Sequence, residues 1–382
     1  MSENNGKLDL KQVLMLGGSM AAFEIGSGFA TGAELLQFIG SWGGNWPWAV
    51  ILIDFIIGAA ICGVIFLASY QYKFKNTNDL YYHFFGKYLG KLIDIYVYLC
   101  LIAYVLVMTA GSGAMLNQYW GLPNIVGTLG MGIATGLVAC LGLRKLIDVL
   151  GSLGIFIVVA VLAVAVYTLF AAPHTALEGS ARVLEYVDDG LVLQAGAFGV
   201  RHPVFSAFSY AGSFIMCGIP WMAAVGLVVK NRKTAIGAAI SSSALFFMGC
   251  AFVVYVLLVN MDVIAGKQIP IIAAIQNMMP AIAGPYTLII VLGIFTTVTG
   301  ELFLLADRFS YGRKKLHYGI IGGTVLFSVT FASMLPFNVL LNALFSIMGF
   351  FGVLVGLIMI TLFIVSQVKG REKPGTAALT TD

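Results

Sequence analysis

Residues Phe23–Glu34 read F-E-I-G-S-G-F-A-T-G-A-E and lie in the middle of the first long apolar stretch, residues 12–40. About 20 helical residues cross the hydrocarbon core of a bilayer, so this stretch is long enough to span one. Its centre holds Glu24 beside a glycine-serine-glycine run, and a charge at mid-depth costs about 2.5 to 3.5 kcal/mol on insertion scales. We therefore predict a helix that stops, exposes backbone and starts again. Such helices occur at membrane depth where they line a cavity or are buried in protein, which indicates transport.

The composition identifies an integral membrane protein. Hydrophobic residues make up 60% of the 382 residues and charged residues only 10%, whereas soluble domains carry about 25% charged residues. The polar start leads directly into the first apolar stretch, so we expect no cleaved signal peptide. We predict an all-α fold with ten transmembrane helices. The apolar stretches cover residues 12–40, 46–70, 92–118, 124–142, 146–171, 203–228, 234–260, 283–306, 317–334 and 337–367.

The basic residues predict the orientation. With the N-terminus inside, the inner side holds all of the 21 Lys and Arg residues except Arg182, Arg201 and Lys267, as the positive-inside rule requires. Both termini are then cytoplasmic. The formal charge of +4 reflects inner-side loops beside the lipid bilayer, and we predict no nucleic-acid binding. We expect one transmembrane domain over residues 1–371 and a short cytoplasmic tail over 372–382.

No pattern in the sequence indicates an enzyme, and we predict none. The five cysteines all fall inside apolar stretches, where small apolar packing residues are the simplest interpretation. The sequence has no C-x-x-C pair, no metal-spaced Cys/His set, no P-loop and no grouped Ser/His/Asp set. We therefore expect no cofactor, and the lack of a nucleotide-binding domain argues against a primary pump.

The sixth apolar stretch repeats the signature of the first. Residues Phe205–Trp221 read F-S-A-F-S-Y-A-G-S-F-I-M-C-G-I-P-W, with Gly212 and Ser213 in the middle. Five stretches precede it, and an odd number of helices per repeat turns the two halves in opposite directions. We predict a 5+5 inverted repeat in which helices one and six are broken and face each other across the site. The predicted repeats cover residues 12–171 and 203–367.

This pattern resembles the amino acid–polyamine–organocation superfamily, with its LeuT-like fold, and within it the YkvI-type bacterial membrane proteins. Four features carry the resemblance: the two Gly-Ser breaks, a short helix between Pro270 and Pro280, and a G-x-x-T-T run that begins at Gly293. The resemblance implies a secondary active transporter for an amino acid or similar small zwitterion, working by alternating access in a bacterial inner membrane. It leaves the oligomeric state open.

The resemblance also implies a substrate site. A substrate carboxylate would meet backbone N–H groups at the first break, because the restarted helix points its positive end there. The break in the sixth stretch would add further backbone groups, and its two aromatic residues would form a floor or an outer gate. The implied substrate-binding residues are Glu24, Gly26, Ser27, Gly28, Phe208, Tyr210, Gly212 and Ser213.

The coupling ion stays open between Na⁺ and H⁺. Sodium-coupled relatives imply a site of carbonyl and hydroxyl oxygens, and five oxygen ligands suit a hard cation. The implied ligands are Ala22, Ile25, Gly293, Thr296 and Thr297. The alternative for the two threonines is a hydrogen bond to their own helix. Glu24 departs from the sodium-coupled pattern, and it favours proton coupling, a contact with a substrate amine, or a structural role in capping loose N–H groups.

Two further carboxylates, Glu34 and Glu301, are candidate gate residues, with packing and pairing as the alternative interpretation. A second function, from a different class, is a ligand-sensing receptor that keeps the transporter fold and works with a partner protein. The short tails argue against it, because the sequence carries no signalling domain.

Overall fold

The structure is a computed structural model that describes residues 7–24, 29, 31–141, 159–160, 162–171, 174–196 and 200–368. The chain in these ranges is mainly helical. Its helices of more than four residues are α1 Leu10–Glu24, α2 Ala33–Phe38, α3 Trp46–Tyr72, α4 Asp79–Trp120, α5 Asn124–Ala139, α6 Leu162–Ala171, α7 Ala176–Asp188, α8 Pro203–Leu227, α9 Arg232–Val259, α10 Pro270–Met278, α11 Pro280–Ser310, α12 Lys314–Ala332 and α13 Phe337–Val368.

The described helices fit a multi-pass membrane protein. Six of them, α3, α4, α8, α9, α11 and α13, are long and apolar enough to cross a bilayer, while α5 and α6 are shorter and apolar. Each of the ten predicted apolar stretches contains a described helix. The helices α7 and α10 lie between predicted stretches. The all-α membrane fold is confirmed, and the count of ten crossings stays a prediction.

The first apolar stretch is interrupted at Gly32, directly before α2. Helix α1 is described from Leu10 to Glu24, and the separate helix α2 begins at Ala33. Between them Gly32 has a φ of 73°, a left-handed conformation that glycine adopts at little cost. A Cβ at Gly32 would also lie 3.1 Å from the Leu257 side chain on α9. The glycine-serine-glycine run over 26–28, where we placed the break, lies outside the described residues.

The predicted break in the sixth stretch is wrong. Helix α8 runs without interruption from Pro203 to Leu227 and includes Gly212 and Ser213. A Cβ at Gly212 would overlap the backbone carbonyl oxygen of Gly349 on α13. The glycine therefore lets two helices approach closely, which is a common use of small residues in membranes. The Ser213 hydroxyl donates to the Tyr210 carbonyl at 2.9 Å, so it is satisfied within the helix.

The long helices pack in two groups. Within each group, a 5+5 repeat relates two helices from the first half of the chain to two from the second. In the first group, α1 packs on α9, α3 packs on α8, and α3 also packs on α9. In the second group, α4 and α5 both pack on α11 and α12. In the repeat, α1, α3, α4 and α5 correspond to α8, α9, α11 and α12. The contact between α1 and α9 then matches that between α8 and α3, which fits the predicted inverted repeat.

Loops predicted on the same side of the membrane contact one another. On the predicted inner side, Lys230 Nζ lies 2.7 Å from Asp9 Oδ2. On the predicted outer side, the Gln118 side chain donates to the Ile269 carbonyl at 2.8 Å and accepts from the Ile269 N–H at 3.0 Å. These pairs join loops far apart in sequence, so the alternation of sides read from the sequence agrees with the packing.

Candidate functional site

Glu24 is the last described residue of α1 and belongs to the apolar stretch that is interrupted at Gly32. Its Oε1 atom is buried and has no hydrogen-bond partner among the described residues. The carboxylate lies against Gly218 of α8, where a Cβ would overlap Oε1. The same Cβ would lie 2.9 and 3.0 Å from the terminal methyl carbons of Met222 and Met20. Gly218 therefore makes the space that the Glu24 carboxylate occupies.

Glu34 lies in the first turn of α2 and is 6% exposed. The Tyr210 hydroxyl on α8 donates to its Oε1 at 3.1 Å. The Tyr210 ring packs on Phe38, with ring centroids 5.7 Å apart, and its hydroxyl lies 3.9 Å from the Cys250 sulfur on α9. These contacts hold one carboxylate and one phenol in a fixed position next to the interruption.

The third carboxylate comes from the other helix group. Glu301 lies in α11 and is 2% exposed, and within the described part of the chain its Oε2 has no hydrogen-bond partner. Glu24 and Glu34 both lie against α8, at Gly218 and at the Tyr210 hydroxyl. We call Glu24, Glu34 and Glu301 the carboxylate cluster. Glu24 belongs to one helix group and Glu301 to the other.

Tyr104 lies in the middle of α4, and the sequence analysis did not single it out. Its ring stacks on Phe345 of α13, with centroids 4.4 Å apart and an interplanar angle of 19°. The available signal was a tyrosine in the middle of a long apolar stretch, where a polar hydroxyl needs a partner.

The remaining residues of the implied substrate site separate in the structure. Gly26, Ser27 and Gly28 lie outside the described residues. Phe208, which we paired with Tyr210, is 37% exposed, whereas Tyr210 is 2% exposed. Residues two apart on a helix point to nearly opposite sides, and the role of Phe208 in a floor or outer gate stays a prediction. Gly212 and Ser213 belong to the contact with α13 and to the continuous helix α8.

The implied sodium ligands are only partly described. Ala22 lies in α1, and Ile25 lies outside the described residues. In α11, Gly293 is buried and the Thr296 hydroxyl donates to its carbonyl at 2.8 Å. That bond is the alternative that we considered for the threonine. It uses the hydroxyl proton and leaves oxygen lone pairs free to accept a cation. Thr297 follows on the same helix and is half-buried.

A polar cluster ties α2 to the segments around it. The Gln37 side chain donates to the Asn338 carbonyl at 3.2 Å and accepts from the Asn342 amide at 3.0 Å. The Asn342 amide also donates to the Gln194 carbonyl at 3.1 Å. These bonds join α2, the segment before α8 and the start of α13, next to the turn that carries Glu34.

Sequence comparisons find weak similarity to two proteins of Bacillus subtilis (strain 168). The uncharacterized protein YyaD is 31% identical over 125 residues, which are 30% of this chain and 33% of that protein. The uncharacterized membrane protein YkvI is 26% identical over 133 residues, 35% of each chain. The match thus spans about a third of the length of these curated relatives. No protein-family model matches the chain. The expected likeness to YkvI is confirmed as weak homology.

The structure is similar over most of its length to two solved proteins. MhsT, solved in complex with L-phenylalanine, gives a TM-score of 0.60 at 12% identity, covering 95% of this chain and 97% of that one. Mhp1, a nucleobase-cation-symport-1 family transporter solved in a closed conformation with bromovinylhydantoin bound, gives 0.58 at 13% identity, covering 87% and 74%. Both have the LeuT fold, so the predicted fold is confirmed.

Proposed function

We propose that this protein is a secondary active transporter that carries a small, amino-acid-like zwitterion by alternating access, coupled to Na⁺ or H⁺. One observation supports this above the others. Oε1 of Glu24 is buried, on the interrupted first apolar stretch of a chain with the LeuT fold. Ionisable residues at membrane depth are costly and mark transport pathways and ion sites.

The position of the site supports a carrier. Glu24 and Tyr210 belong to the helix group of α1, α3, α8 and α9, whereas Tyr104 and Glu301 belong to the group of α4, α5, α11 and α12. A substrate held between them contacts both groups at once. A rocking motion of one group against the other would then open the site to each side in turn. A receptor needs no such motion across both faces.

Two parts of the site would bind the two ends of a zwitterion. The predicted break would offer backbone N–H groups from Gly26, Ser27 and Gly28 to the substrate carboxylate. The Glu24 carboxylate would accept hydrogen bonds from the substrate amine. Tyr210 would act by holding Glu34 in place, since its hydroxyl already donates to that carboxylate.

The coupling ion has two candidate locations. Sodium would bind among the carbonyls of Ala22, Ile25 and Gly293 and the hydroxyls of Thr296 and Thr297, which form an oxygen-rich set. Protons would bind to the carboxylate cluster. Mhp1 belongs by name to a cation-symport family, which supports cation coupling in general and does not choose between the two ions.

We further propose that the protein lies in a bacterial inner membrane with both termini in the cytoplasm, and that it is not an enzyme. Uptake of labelled amino acids into proteoliposomes tests the function directly. We expect accumulation that requires either a Na⁺ gradient or a pH gradient. Binding without any accumulation would favour the ligand-sensing receptor instead. If the protein neither binds nor accumulates any amino acid, the proposed substrate class is wrong.

A further inference from the structure

We propose that residues 78–85 form a gate on the predicted inner side and that Asp94 is the residue that holds this gate in place. We call residues 78–85 the inner segment. In this proposal the inner segment moves with α4 and α11, and it separates from α3 when the inner side opens. The inference rests on the proposed transport function and deepens it, since it names the part of the chain that closes the substrate site to the cytoplasm.

The inner segment folds back on the rest of α4. Gly86 interrupts the helix with φ 70° and ψ −175°, a conformation that is open almost only to glycine. Four residues later, a Cβ at Gly90 would lie 3.0 Å from both the Tyr81 carbonyl oxygen and the Tyr82 Cα. The turn at Gly86 and the missing side chain at Gly90 therefore let two stretches of backbone lie in contact.

Two side chains of the inner segment are buried as deeply as the core of the protein. Leu80 and Tyr81 are both 0% exposed, although the segment lies between the predicted apolar stretches 46–70 and 92–118. Connecting segments normally run over the surface. A leucine and a tyrosine that are buried completely have neighbours on all sides, so the inner segment fills space between helices.

The inner segment contacts both helix groups. Its His83 ring packs on the ring of Tyr72, the last residue of α3, with centroids 4.0 Å apart. On its other side, the Asn78 amide donates to Asp94 Oδ1 at 2.7 Å and the Tyr82 hydroxyl donates to Asp94 Oδ2 at 3.3 Å. Because α3 belongs to one group and Asp94 of α4 to the other, the segment bridges the two groups at their predicted inner ends.

Asp94 joins the inner segment to α11 as well. Its Oδ2 lies 2.6 Å from Nη2 of Arg308, and its side chain is 6% exposed, against 32% for Arg308. The Asn78 side-chain carbonyl also accepts from the Tyr98 hydroxyl of α4 at 3.4 Å. One carboxylate therefore collects three donors, two from the inner segment and one from α11. We call Asp94 with these three donors the latch.

The strength of the two attachments decides which group the segment follows. The latch consists of hydrogen bonds to a carboxylate, and such charge-assisted bonds are about twice as strong as bonds between neutral groups. Pulling the segment away from α4 would take two of the three donors from a buried carboxylate, which is costly. The contact between His83 and Tyr72 is an aromatic pair, whose rings are able to separate without leaving a charge unpaired. We therefore expect the contact with α3 to open while the latch stays closed.

Hydrogen–deuterium exchange of the purified full-length protein in detergent tests the latch without any substrate. Asp94→Asn keeps the shape of the side chain and removes its charge. We expect peptides that cover residues 78–85 to exchange at least about tenfold faster, because the loss of one charge-assisted hydrogen bond corresponds to that factor. The unfolding temperature of the variant reports whether it folds.

Asp307→Asn is the matched control for this substitution. Asp307 precedes Arg308 on α11, is exposed, and forms no ion pair in the part of the chain that the structure describes. We expect this variant to exchange like the wild type over residues 78–85. If Asp94→Asn and Asp307→Asn exchange equally in this region, the latch does not exist.

Gly90→Ala tests the same attachment with the carboxylate intact. Its added Cβ would press on the backbone of Tyr81 and Tyr82, so the inner segment has to move away and exchange faster. Gly130→Ala on α5 is the control, because no described atom lies within 4 Å of a Cβ there. Unchanged exchange in Gly90→Ala would contradict the close packing on which the gate depends, whether or not Asp94→Asn folds.

Cross-links test which helix group the segment follows. Tyr72→Cys with His83→Cys allows a short, reducible bifunctional thiol reagent to join the segment to α3, and Asn78→Cys with Tyr98→Cys allows it to join the segment to α4. The four single variants receive the same reagent, which controls for reaction at the native cysteines. For an amino acid that the uptake assay identifies as a substrate, we expect the first link to abolish uptake until it is reduced. We expect the second link to leave uptake at the rate of its own unlinked form. Uptake with the first link closed, or a block by the second, would overturn the proposal.

The two kinds of measurement separate this proposal from the proposed function. If the wild type transports no compound, the transporter function fails, and hydrogen exchange still decides whether Asp94 holds the inner segment. If the wild type transports an amino acid and exchange over residues 78–85 does not respond to Asp94→Asn, the function stands and the gate fails.

Discussion

Replacing Gly218 with alanine tests whether the position of the Glu24 carboxylate matters for transport. Gly218 lies inside α8, and an added Cβ would overlap Oε1 of Glu24. The other two close atoms are the ends of the Met222 and Met20 side chains, at 2.9 and 3.0 Å. All three neighbours are flexible side-chain ends, so the backbone has no need to move. The carboxylate has to leave its present place.

The structure therefore predicts different effects on stability and on function. Alanine is favoured over glycine inside a helix by about 0.5–1 kcal/mol. Turning a side chain away from its preferred torsion costs about 0.5–1.5 kcal/mol. These terms oppose each other, and we expect the free energy of unfolding to change by less than about 2 kcal/mol. A lost hydrogen bond to a charged group is worth about 1.5–3 kcal/mol, which lowers apparent substrate affinity by about 10- to 150-fold.

The assay is uptake into proteoliposomes, with the unfolding temperature of the same preparation in detergent. Gly63→Ala is the control, because the nearest atom to a Cβ at that position on α3 is the Cβ of Ala239 at 3.9 Å, an ordinary contact. We expect Gly218→Ala to lose affinity and keep its unfolding temperature, and Gly63→Ala to keep both. If Gly218→Ala transports with unchanged affinity, the placement of Glu24 against α8 has no part in substrate binding.

Three other substitutions test the fold and its charges. Gly212→Ala places a Cβ on the Gly349 backbone, which cannot turn away, so we expect a loss of about 1–3 kcal/mol in unfolding free energy; an unchanged unfolding temperature would contradict the close helix contact. Tyr210→Phe leaves Glu34 without its donor, and we expect the free energy of unfolding to fall by about 1–3 kcal/mol; an unchanged free energy of unfolding would contradict this hydrogen bond. The side-chain hydrogen bond from Lys230 holds the pKa of Asp9 below its usual 3.8. The stability that this bond contributes is therefore present at neutral pH and is lost as the pH falls through the Asp9 pKa. Asp9→Asn should therefore lower the unfolding temperature at pH 7 but not below the Asp9 pKa, and an equal effect at both pH values would refute the pairing.

The overall fold was accessible from the sequence because membrane insertion imposes simple rules. Lengths of apolar stretches and the distribution of Lys and Arg decide where helices run, whatever the details of packing. An interruption of the first apolar stretch was also predictable, because a carboxylate beside several glycines at mid-depth is hard to place in a plain helix. Among the described residues of the quoted run, the interruption lies at Gly32, which has the left-handed φ.

The prediction of a second break was wrong because glycine has two different uses in membrane helices. Gly212 weakens a helix in isolation and allows close packing when another glycine faces it. The sequence shows Gly212 but does not show that Gly349 lies opposite. For the same reason the sequence did not show the role of Gly218, which comes from its contact with Glu24 on another helix. The partnership of Tyr210 with Glu34 joins α8 to α2 and likewise required the packed structure.

Solute counterflow tests the carrier mechanism most directly. Proteoliposomes are loaded with an unlabelled amino acid that the uptake assay identifies as a substrate and diluted into a trace of the same amino acid carrying label, with no ion gradient and no membrane potential. The account predicts a transient accumulation of label above equilibrium, which Glu24→Gln reduces and Gly63→Ala does not, because a site that faces each side in turn exchanges its substrate. Label that binds the protein without entering the vesicles, or that only equilibrates without an overshoot, would contradict it.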